Sequence, residues 1–364
     1  MEIFYNFQTN QWECREQNIY WGQTQKLTYS PSSTHSPLQF YLNENNNHIG
    51  PLVGILTGKN ENNQLTGSGP LFRHLQEMFI EYQGLTVVFT MEDVFQEGVH
   101  GFMYQPTMSR WYEVTTPLPN IIYNRLPYDL NDSERFEKFQ TFCHRKKIPI
   151  LNPFFLSIHE SCQLLTKSID LKKHVPFFQT VHSKHQLIKT IQQLKELYII
   201  PKNSYQKKDI LLLQLTTSSH MIISRNGVQK HYSSFEQFFY EYDYLFSWGP
   251  IFIQQYIPAM EQFTVLVHPM QKNNITAIDW NEYTQPSMKS EQFMKMSIPI
   301  ITTLLQKNYG TFIEFAVEVT IYQGNYYITH LHSKPLRFDN FQIEETRVKT
   351  LTENLFQLTT FPHH

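Results

Sequence analysis

Residues 313–335 read IEFAVEVTIYQGNYYITHLHSKP and predict a β-hairpin near the end of the chain. Acidic and apolar residues alternate over 313–318 at the period of a β-strand, and QGN at 323–325 is typical of a tight turn. On the returning arm, His330 and His332 share one face of the predicted strand. This stretch therefore predicts both a β-hairpin and a candidate functional site on one face of it.

If the two arms pair, Glu314 and the imidazoles of His330 and His332 can converge. Two imidazoles and a carboxylate form a ligand set for zinc or another transition metal. Histidines on strands more often have no metal bound, and a chain with 16 histidines yields a coincidental pair easily. We therefore rank a metal site of Glu314, His330 and His332 below unliganded histidines. Glu318 lies on the same face as Glu314, beyond contact distance, and is expected to be solvated.

Composition limits the classes of protein to be considered. A chain of 364 residues exceeds one ordinary hydrophobic core, so we expect two or three subdomains, and 41% hydrophobic residues argue against global disorder. The net charge of −2 and a pI near 6.8 provide no overall cationic field. Nucleic acid and membrane insertion are therefore not expected, and partners must be bound by local sites.

Cysteine usage and hydropathy predict the compartment. The three cysteines, Cys14, Cys143 and Cys162, are widely spaced and form no Cys-x-x-Cys pair, which favours buried, reduced thiols. The chain has no run of about 18 apolar residues. These features predict a soluble protein in the cytoplasm.

The order of patterns divides the chain into four parts. Residues 1–48 are rich in aromatic residues at strand spacing and predict short antiparallel strands. Residues 49–155 alternate buried strands with amphipathic helices, which predicts a mainly parallel sheet covered by helices. Residues 156–250 and 251–364 form the predicted central and C-terminal subdomains. The fold class is α/β with α+β elements.

Five stretches taken together resemble the YheC/YheD family of endospore coat-associated proteins. They cover roughly residues 50 to 340, and the sequences are PLVGILT at 51–57, VFTMED at 88–93, PLPNIIYNR at 117–125, IQQYI at 253–257 and HSKP at 332–335. The resemblance implies an ATP-grasp-like fold with an α/β pre-domain (49–155), a central lid subdomain (156–250) and a C-terminal subdomain (251–364), with ATP between the last two. It also implies association with the spore coat or forespore of a Bacillus-like organism.

The lid that the resemblance implies departs from the family pattern. Such a lid needs glycines whose backbone N–H groups approach a triphosphate, and a lysine on the preceding strand. The matching stretch, residues 197–210, has no glycine, and Ile200 stands at the lysine position. Lys202 could still attract a phosphate, although a solvated turn explains it better.

Two further parts of the implied ATP site can be located. The strand that would read adenine is retained, with Gln254, Gln255, Tyr256 and Ile257 as candidate contacts, and an ordinary core strand is an equal alternative. Lys334 matches the family motif and is a candidate phosphate contact.

At the metal end, Glu314 fits the first acid that the family pattern requires. His330 and His332 occupy the positions of an acid and an asparagine. Imidazoles are poor ligands for Mg²⁺, which prefers hard oxygen atoms. Arginine, a common partner of transferring phosphates, is absent between Arg225 and Arg337.

These observations favour a degenerate, non-catalytic ATP-grasp-like protein associated with the endospore coat, a pseudoenzyme of sporulation. Two alternatives stay open: an active ATP-dependent carboxylate-amine ligase using ATP and Mg²⁺, and a transition-metal-binding protein on the same scaffold. The expected location is the cytoplasm of the mother cell or forespore, in contact with the spore coat. Other coat proteins are the expected partners. The sequence identifies no substrate and no oligomeric state.

Overall fold

The computed structural model describes residues 1–22, 25–31, 36–62, 64–131, 133–200, 210–225, 227–247, 249–270, 275–280, 288–335 and 338–360. Within these ranges the strands form five β-sheets. Among the helices that the structure describes, none is both long and apolar enough to cross a lipid bilayer.

Two small sheets begin the chain. Their strands are β1 (Glu2–Asn6), β2 (Gln11–Cys14), β3 (Tyr20–Trp21), β4 (Gln25–Lys26), β5 (Thr28–Tyr29), β6 (Gln39–Tyr41), β7 (Asn43–Asn45) and β8 (His48–Gly50). The orders are β5-β2-β1-β6 and β4-β3-β8-β7. Tyr5, Trp12 and Trp21 are buried in a core shared with the following sheet, so the aromatic side chains of this segment build its interior.

A seven-stranded sheet follows. It contains β9 (Leu52–Leu56), β10 (Leu85–Phe89), β11 (Val94–Phe95), β12 (Gly98–Gln105), β13 (Arg110–Pro117), β14 (Ile121–Asn124) and β15 (Ile150–Leu151). Strands β10, β9, β14 and β15 pair in parallel, as the alternation of strands and helices predicted. The antiparallel hairpin of β12 and β13 was not predicted.

Helices cover this sheet. They are α1 (Gly69–Glu81), α2 (Tyr128–Asn131) and α3 (Glu134–Arg145). The Ser68 hydroxyl accepts a hydrogen bond from the N–H of Leu71, and Pro70 lies in the first turn of α1, where its missing N–H costs nothing. Ser133 caps α3 in the same way.

An antiparallel sheet of six strands forms the middle of the chain. Its strands are β16 (Phe178–Val181), β17 (Glu196–Ile200), β18 (Leu211–Leu215), β19 (Met221–Arg225), β20 (Val228–Tyr232) and β21 (Ile251–Gln255), in the order β16-β21-β17-β18-β19-β20. The preceding and covering helices are α4 (Ile158–Leu165), α5 (Ile169–Lys172), α6 (Lys184–Leu194) and α7 (Phe235–Tyr242). Apolar side chains of α6 and α7 pack on this sheet.

The last sheet contains the predicted hairpin. Its strands are β22 (Glu261–Val267), β23 (Ile275–Trp280), β24 (Phe315–Tyr322) and β25 (Asn325–His332), in the order β23-β22-β24-β25. Helix α8 (Met288–Tyr309) packs on one face. Helix α9 (Phe341–Thr360) returns to the N-terminal half, where Val348, Leu351 and Leu355 pack with the β9 and α1 side chains.

Candidate functional site

The candidate site lies where the middle sheet meets the C-terminal sheet. The Nε2 atom of Gln254, on β21, donates to the backbone carbonyl of Thr329 on β25 at 3.3 Å and to the Cys162 sulfur at 3.4 Å. Beside it, Ile158, Cys162, Ile200 and Phe252 form a small buried apolar cluster. The cluster joins the middle sheet to helix α4, and Gln254 joins the middle sheet to the C-terminal sheet.

A β-bulge in the hairpin of β24 and β25 changes the direction of the polar side chains beside it. Glu318 pairs with His330 and Ala316 with His332, but the register shifts after Glu318 so that Val319 pairs with Ile328. Thr329 is the extra residue, and its hydroxyl donates to the Glu318 carbonyl at 3.3 Å. Such a bulge re-aims neighbouring side chains, here those of Glu318 and His330.

Glu318, His330 and His332 form a compact cluster on this face. One potential ligand atom from each lies within 4.8 Å of the other two. The Nε2 atom of His332 is 3.1 Å from a Glu318 carboxylate oxygen, and the two imidazole rings stack with centroids 4.0 Å apart. The expectation that Glu318 is solvated is wrong, because its neighbours leave the residue only 8% exposed.

Glu314 is not the carboxylate that joins the two imidazoles. It precedes β24, and four residues of extended chain, about 13 Å, separate it from Glu318. Continuing the hairpin register from Ala316 and His332 places Glu314 level with Lys334, two residues beyond His332. The predicted group of Glu314, His330 and His332 is therefore corrected to Glu318, His330 and His332.

The structure surrounds Glu314 with two arginines, a tyrosine hydroxyl and a histidine instead. Its carboxylate accepts two hydrogen bonds from Arg347, at 2.8 Å from Nε and 2.7 Å from Nη2, and the Tyr123 hydroxyl donates a third. The Arg125 guanidinium approaches at 3.5 Å, and His268 Nε2 lies 3.8 Å away. Glu314 and Arg347 are both fully buried, so this is an internal ion pair.

These contacts decide the charge of each group. Burial alone would raise the pKa of Glu314, but the charge and hydrogen bonds of Arg347, together with the Arg125 charge, lower that pKa to about 2. Burial lowers the pKa of His268 to about 4, although Glu314 opposes the shift. Burial raises the pKa of Tyr123. At neutral pH Glu314 is therefore ionised, while His268 and Tyr123 are neutral.

Asn152 joins the α/β pre-domain to both arms of the hairpin. Its Nδ2 donates to the carbonyls of Glu314 at 2.7 Å and Ser333 at 2.6 Å, and its Oδ1 accepts from the N–H of Ile313 at 2.9 Å. Sequence reasoning missed Asn152, Arg125 and Arg347 as partners of the hairpin. No local pattern marks them, because the hairpin meets them only after the chain has folded.

Gln255 and Tyr256, two further candidate contacts, form backbone hydrogen bonds with neighbouring segments. The backbone N–H groups of Gln255 and Tyr256 donate to the carbonyls of Phe177 and Glu196, at 2.8 and 3.3 Å. Ile257 is buried. Lys202 lies outside the described residues.

Lys334 faces the pre-domain. Its Nζ donates to the Leu126 carbonyl at 3.2 Å and lies over the Phe155 ring. Burial, with a further contribution from the Arg125 charge, lowers the pKa of Lys334 well below its ordinary value. The described contacts of Lys334 are therefore structural.

Residues 147–263 match the model of the YheC/D-like ATP-grasp family. The resemblance to this family is confirmed. A curated relative, the endospore coat-associated protein YheD of Bacillus subtilis (strain 168), is 26% identical over 230 residues, which are 59% of this chain and 49% of YheD. The chain thus spans about half the length of the curated relative it matches.

Solved structures agree on the fold of this YheC/D-like chain. D-alanyl-alanine synthetase A from Vibrio cholerae O1 biovar eltor str. N16961 has a TM-score of 0.54 at 10% identity, with 85% of this chain and 98% of the synthetase covered. The VanG D-Ala:D-Ser ligase from Enterococcus faecalis also has a TM-score of 0.54 at 10% identity, over 85% and 99% of the two chains. The predicted ATP-grasp-like α/β fold is therefore confirmed, and at these identities the similarity concerns the fold alone.

The residues of the hairpin cluster do not fit the magnesium ion that an ATP-grasp site implies. Mg²⁺ demands near-octahedral oxygen ligands. Here Glu318 supplies oxygen, whereas His330 and His332 supply nitrogen, and the other hairpin carboxylate, Glu314, is neutralised by Arg347. One carboxylate oxygen and two imidazole nitrogens are instead typical ligands of a transition metal such as zinc.

Proposed function

We propose that this chain is a non-catalytic ATP-grasp-like protein that acts as a structural or interaction component of the endospore coat. One observation carries the loss of catalysis: His330 and His332, stacked 4.0 Å apart, stand where an acid and an amide would have to hold Mg²⁺. Without that ion the charge on a transferring phosphoryl group lacks its main stabilisation.

The packing around strand β21 supports the same proposal. Ile200 is buried with Phe252 in the apolar cluster between the middle sheet and helix α4, and Gln254 uses its side chain to join β21 to β25. A nucleotide base entering between the sheets would have to displace these contacts. The geometry therefore favours a closed, structural junction.

The assignment to the spore coat rests on the relative's name. YheD of Bacillus subtilis is an endospore coat-associated protein, and the present chain is 26% identical to it over 230 residues. By analogy, the chain would reside in the mother cell or forespore and contact other coat proteins. The active-ligase alternative requires Mg²⁺-dependent ATP binding between the middle and C-terminal sheets.

Calorimetric titration with ATP and Mg²⁺, combined with an assay for ADP release, tests the loss of catalysis. We expect no saturable heat at millimolar ATP and no ADP above the level without protein. The double variant His330→Ala/His332→Ala is the matched control and should give the same result. Mg²⁺-dependent binding with ADP formation in the unchanged protein would establish the ligase alternative and overturn the proposal.

Localisation of a fluorescent fusion in sporulating cells tests the structural role. The fusion is expected to surround the forespore, and His330→Ala/His332→Ala should not alter its position or spore resistance. A fusion that stays evenly distributed through the mother cell would contradict association with the coat.

A further inference from the structure

We propose that Glu318, His330 and His332 form a transition-metal site, with zinc as the best-fitting ion. The inference goes beyond the proposed function, because a metal site needs neither ATP nor the coat. It differs from the magnesium site of the fold in ligand chemistry, since two of three donor atoms are imidazole nitrogens.

The hairpin register brings the three side chains to one face. Glu318 lies directly opposite His330, and Ala316 lies opposite His332. Ala316 has the smallest side chain available at that position apart from glycine, so the His332 ring can lean over it towards Glu318. The resulting separation between His332 Nε2 and the carboxylate is 3.1 Å.

The spacing of the donor atoms suits a four-coordinate ion. Zinc bonds of about 2.0–2.1 Å in a tetrahedron place neighbouring ligand atoms about 3.3 Å apart. In the cluster all three donor atoms lie within 4.8 Å of one another, and one pair is already at 3.1 Å. Small side-chain rotations are enough to close the remaining gap around an ion.

Supporting contacts hold the ligands in place. The Gln262 side-chain amide, on β22, donates to the Glu318 carboxylate and so restricts its rotation. The Thr329 hydroxyl closes the bulge that sets the direction of Glu318 and His330. Outer contacts of this kind orient metal ligands and contribute strongly to affinity.

Burial leaves a route for the ion. Glu318 is nearly enclosed, with 11% of its side chain exposed, whereas the His332 side chain is 30% exposed. A metal can therefore enter from the imidazole side and replace the attraction that His332 and Glu318 now make with each other. The enclosed carboxylate favours a bound cation, because a buried charge is stabilised by a partner.

Titration of the full chain with Zn²⁺ in metal-free buffer, without nucleotide, tests the site. We expect about one equivalent of zinc to bind, and Co²⁺ to give the absorption bands of a four-coordinate ion. The variants His330→Ala, His332→Ala and Glu318→Gln should each weaken binding at least tenfold. Gln262→Ala removes no ligand and should weaken it by about tenfold.

The double variant His182→Ala/His185→Ala is the matched control, since it removes two exposed histidines that are also close in sequence. It should bind zinc as the unchanged protein does. Circular dichroism and the midpoint of thermal unfolding identify any variant that fails to fold, and Gln262→Ala then serves in its place.

Absence of stoichiometric zinc, or binding that is unchanged in the ligand variants, would overturn the inference. Displacement of zinc by an equal concentration of Mg²⁺ would do so as well, because it would show a site of hard oxygen donors. ATP turnover, in contrast, would overturn the proposed function and leave the zinc titration as it is.

Discussion

Arg347 donates a hydrogen bond to each carboxylate oxygen of Glu314, with Nε–Oε2 and Nη2–Oε1 distances of 2.8 and 2.7 Å. The two residues form a fully buried, bidentate ion pair. The pair fastens helix α9 to the beginning of strand β24. Arg347 Nη2 also donates to the Pro335 carbonyl at 3.0 Å, just beyond the end of β25. One guanidinium thus holds both ends of the hairpin that carries the candidate site.

Replacing Arg347 by Met should destabilise the protein strongly. The substitution leaves the Glu314 charge buried without its main partner, which typically costs about 3–5 kcal/mol. Chemical denaturation followed by tryptophan fluorescence measures the loss. Arg135→Ala is the control, because Arg135 pairs with Glu92 on the surface and such pairs contribute about 0–1 kcal/mol. Equal effects of the two substitutions would show that the internal pair is not important for stability.

Stability should fall as the solution is acidified, in two overlapping steps. His268 has a pKa lowered from 6.5 to about 4, so the unfolded chain binds the extra proton between these values and stability decreases from pH 6.5 to about 4. Glu314 has a pKa lowered from 4.5 to about 2, so its contribution is complete above about pH 4.5 and is lost as the pH falls to about 2. Each step lowers the free energy of unfolding by about 3 kcal/mol.

Unfolding free energies measured from pH 7 to pH 3 test this order. The variant His268→Gln should flatten the curve between pH 6.5 and 4 and leave the lower step in place. A curve for His268→Gln that keeps the full upper step would assign that step to another group.

Asn152→Ala should weaken the junction between the pre-domain and the hairpin. It removes three hydrogen bonds and leaves buried backbone groups of Ile313, Glu314 and Ser333 without that partner, for a total of about 3 kcal/mol. Thermal unfolding measures the effect. Asn46→Ala is the matched control, since Asn46 has the same left-handed φ of 52° and is exposed. If both variants lose equal stability, backbone strain rather than the hydrogen bonds is responsible.

The cysteine thiols should be inert in the folded protein. Cys14, Cys143 and Cys162 are free and buried, and burial raises the pKa of Cys143 and of Cys162 to about 12. Because the thiolate is the reactive form, a thiol reagent such as dithionitrobenzoate should label none of them before unfolding. In denaturant three thiols should react. Rapid labelling of one thiol in the native protein would reveal an accessible, activated cysteine.

Local features of the chain were predictable because they depend on neighbours in sequence. The alternation over 313–318 and the QGN turn predicted the hairpin of β24 and β25. The parallel strands of the pre-domain followed from strands alternating with helices. Each of these signals lies within a few residues of the element that it predicts.

The position of the carboxylates was not predictable in the same way. A period of two places Glu314 and Glu318 on one face, but only the register and the bulge at Thr329 decide which of them meets His330. The same limit applies to Arg347, which reaches Glu314 through the return of α9. Contacts between residues 12 to 33 positions apart in the chain depend on how the folded segments pack. A short stretch of sequence does not specify that packing.

The sequence by itself determined that this chain has an ATP-grasp-like α/β fold, that its lid stretch has no glycine, and that two histidines end its last hairpin. The tertiary structure alone decided that Glu314 belongs to a buried ion pair and that Glu318 accompanies the histidines. The reason is physical: residue types and periodicity follow from the chain locally, whereas burial, ion pairing and convergence arise only when distant segments exclude water together.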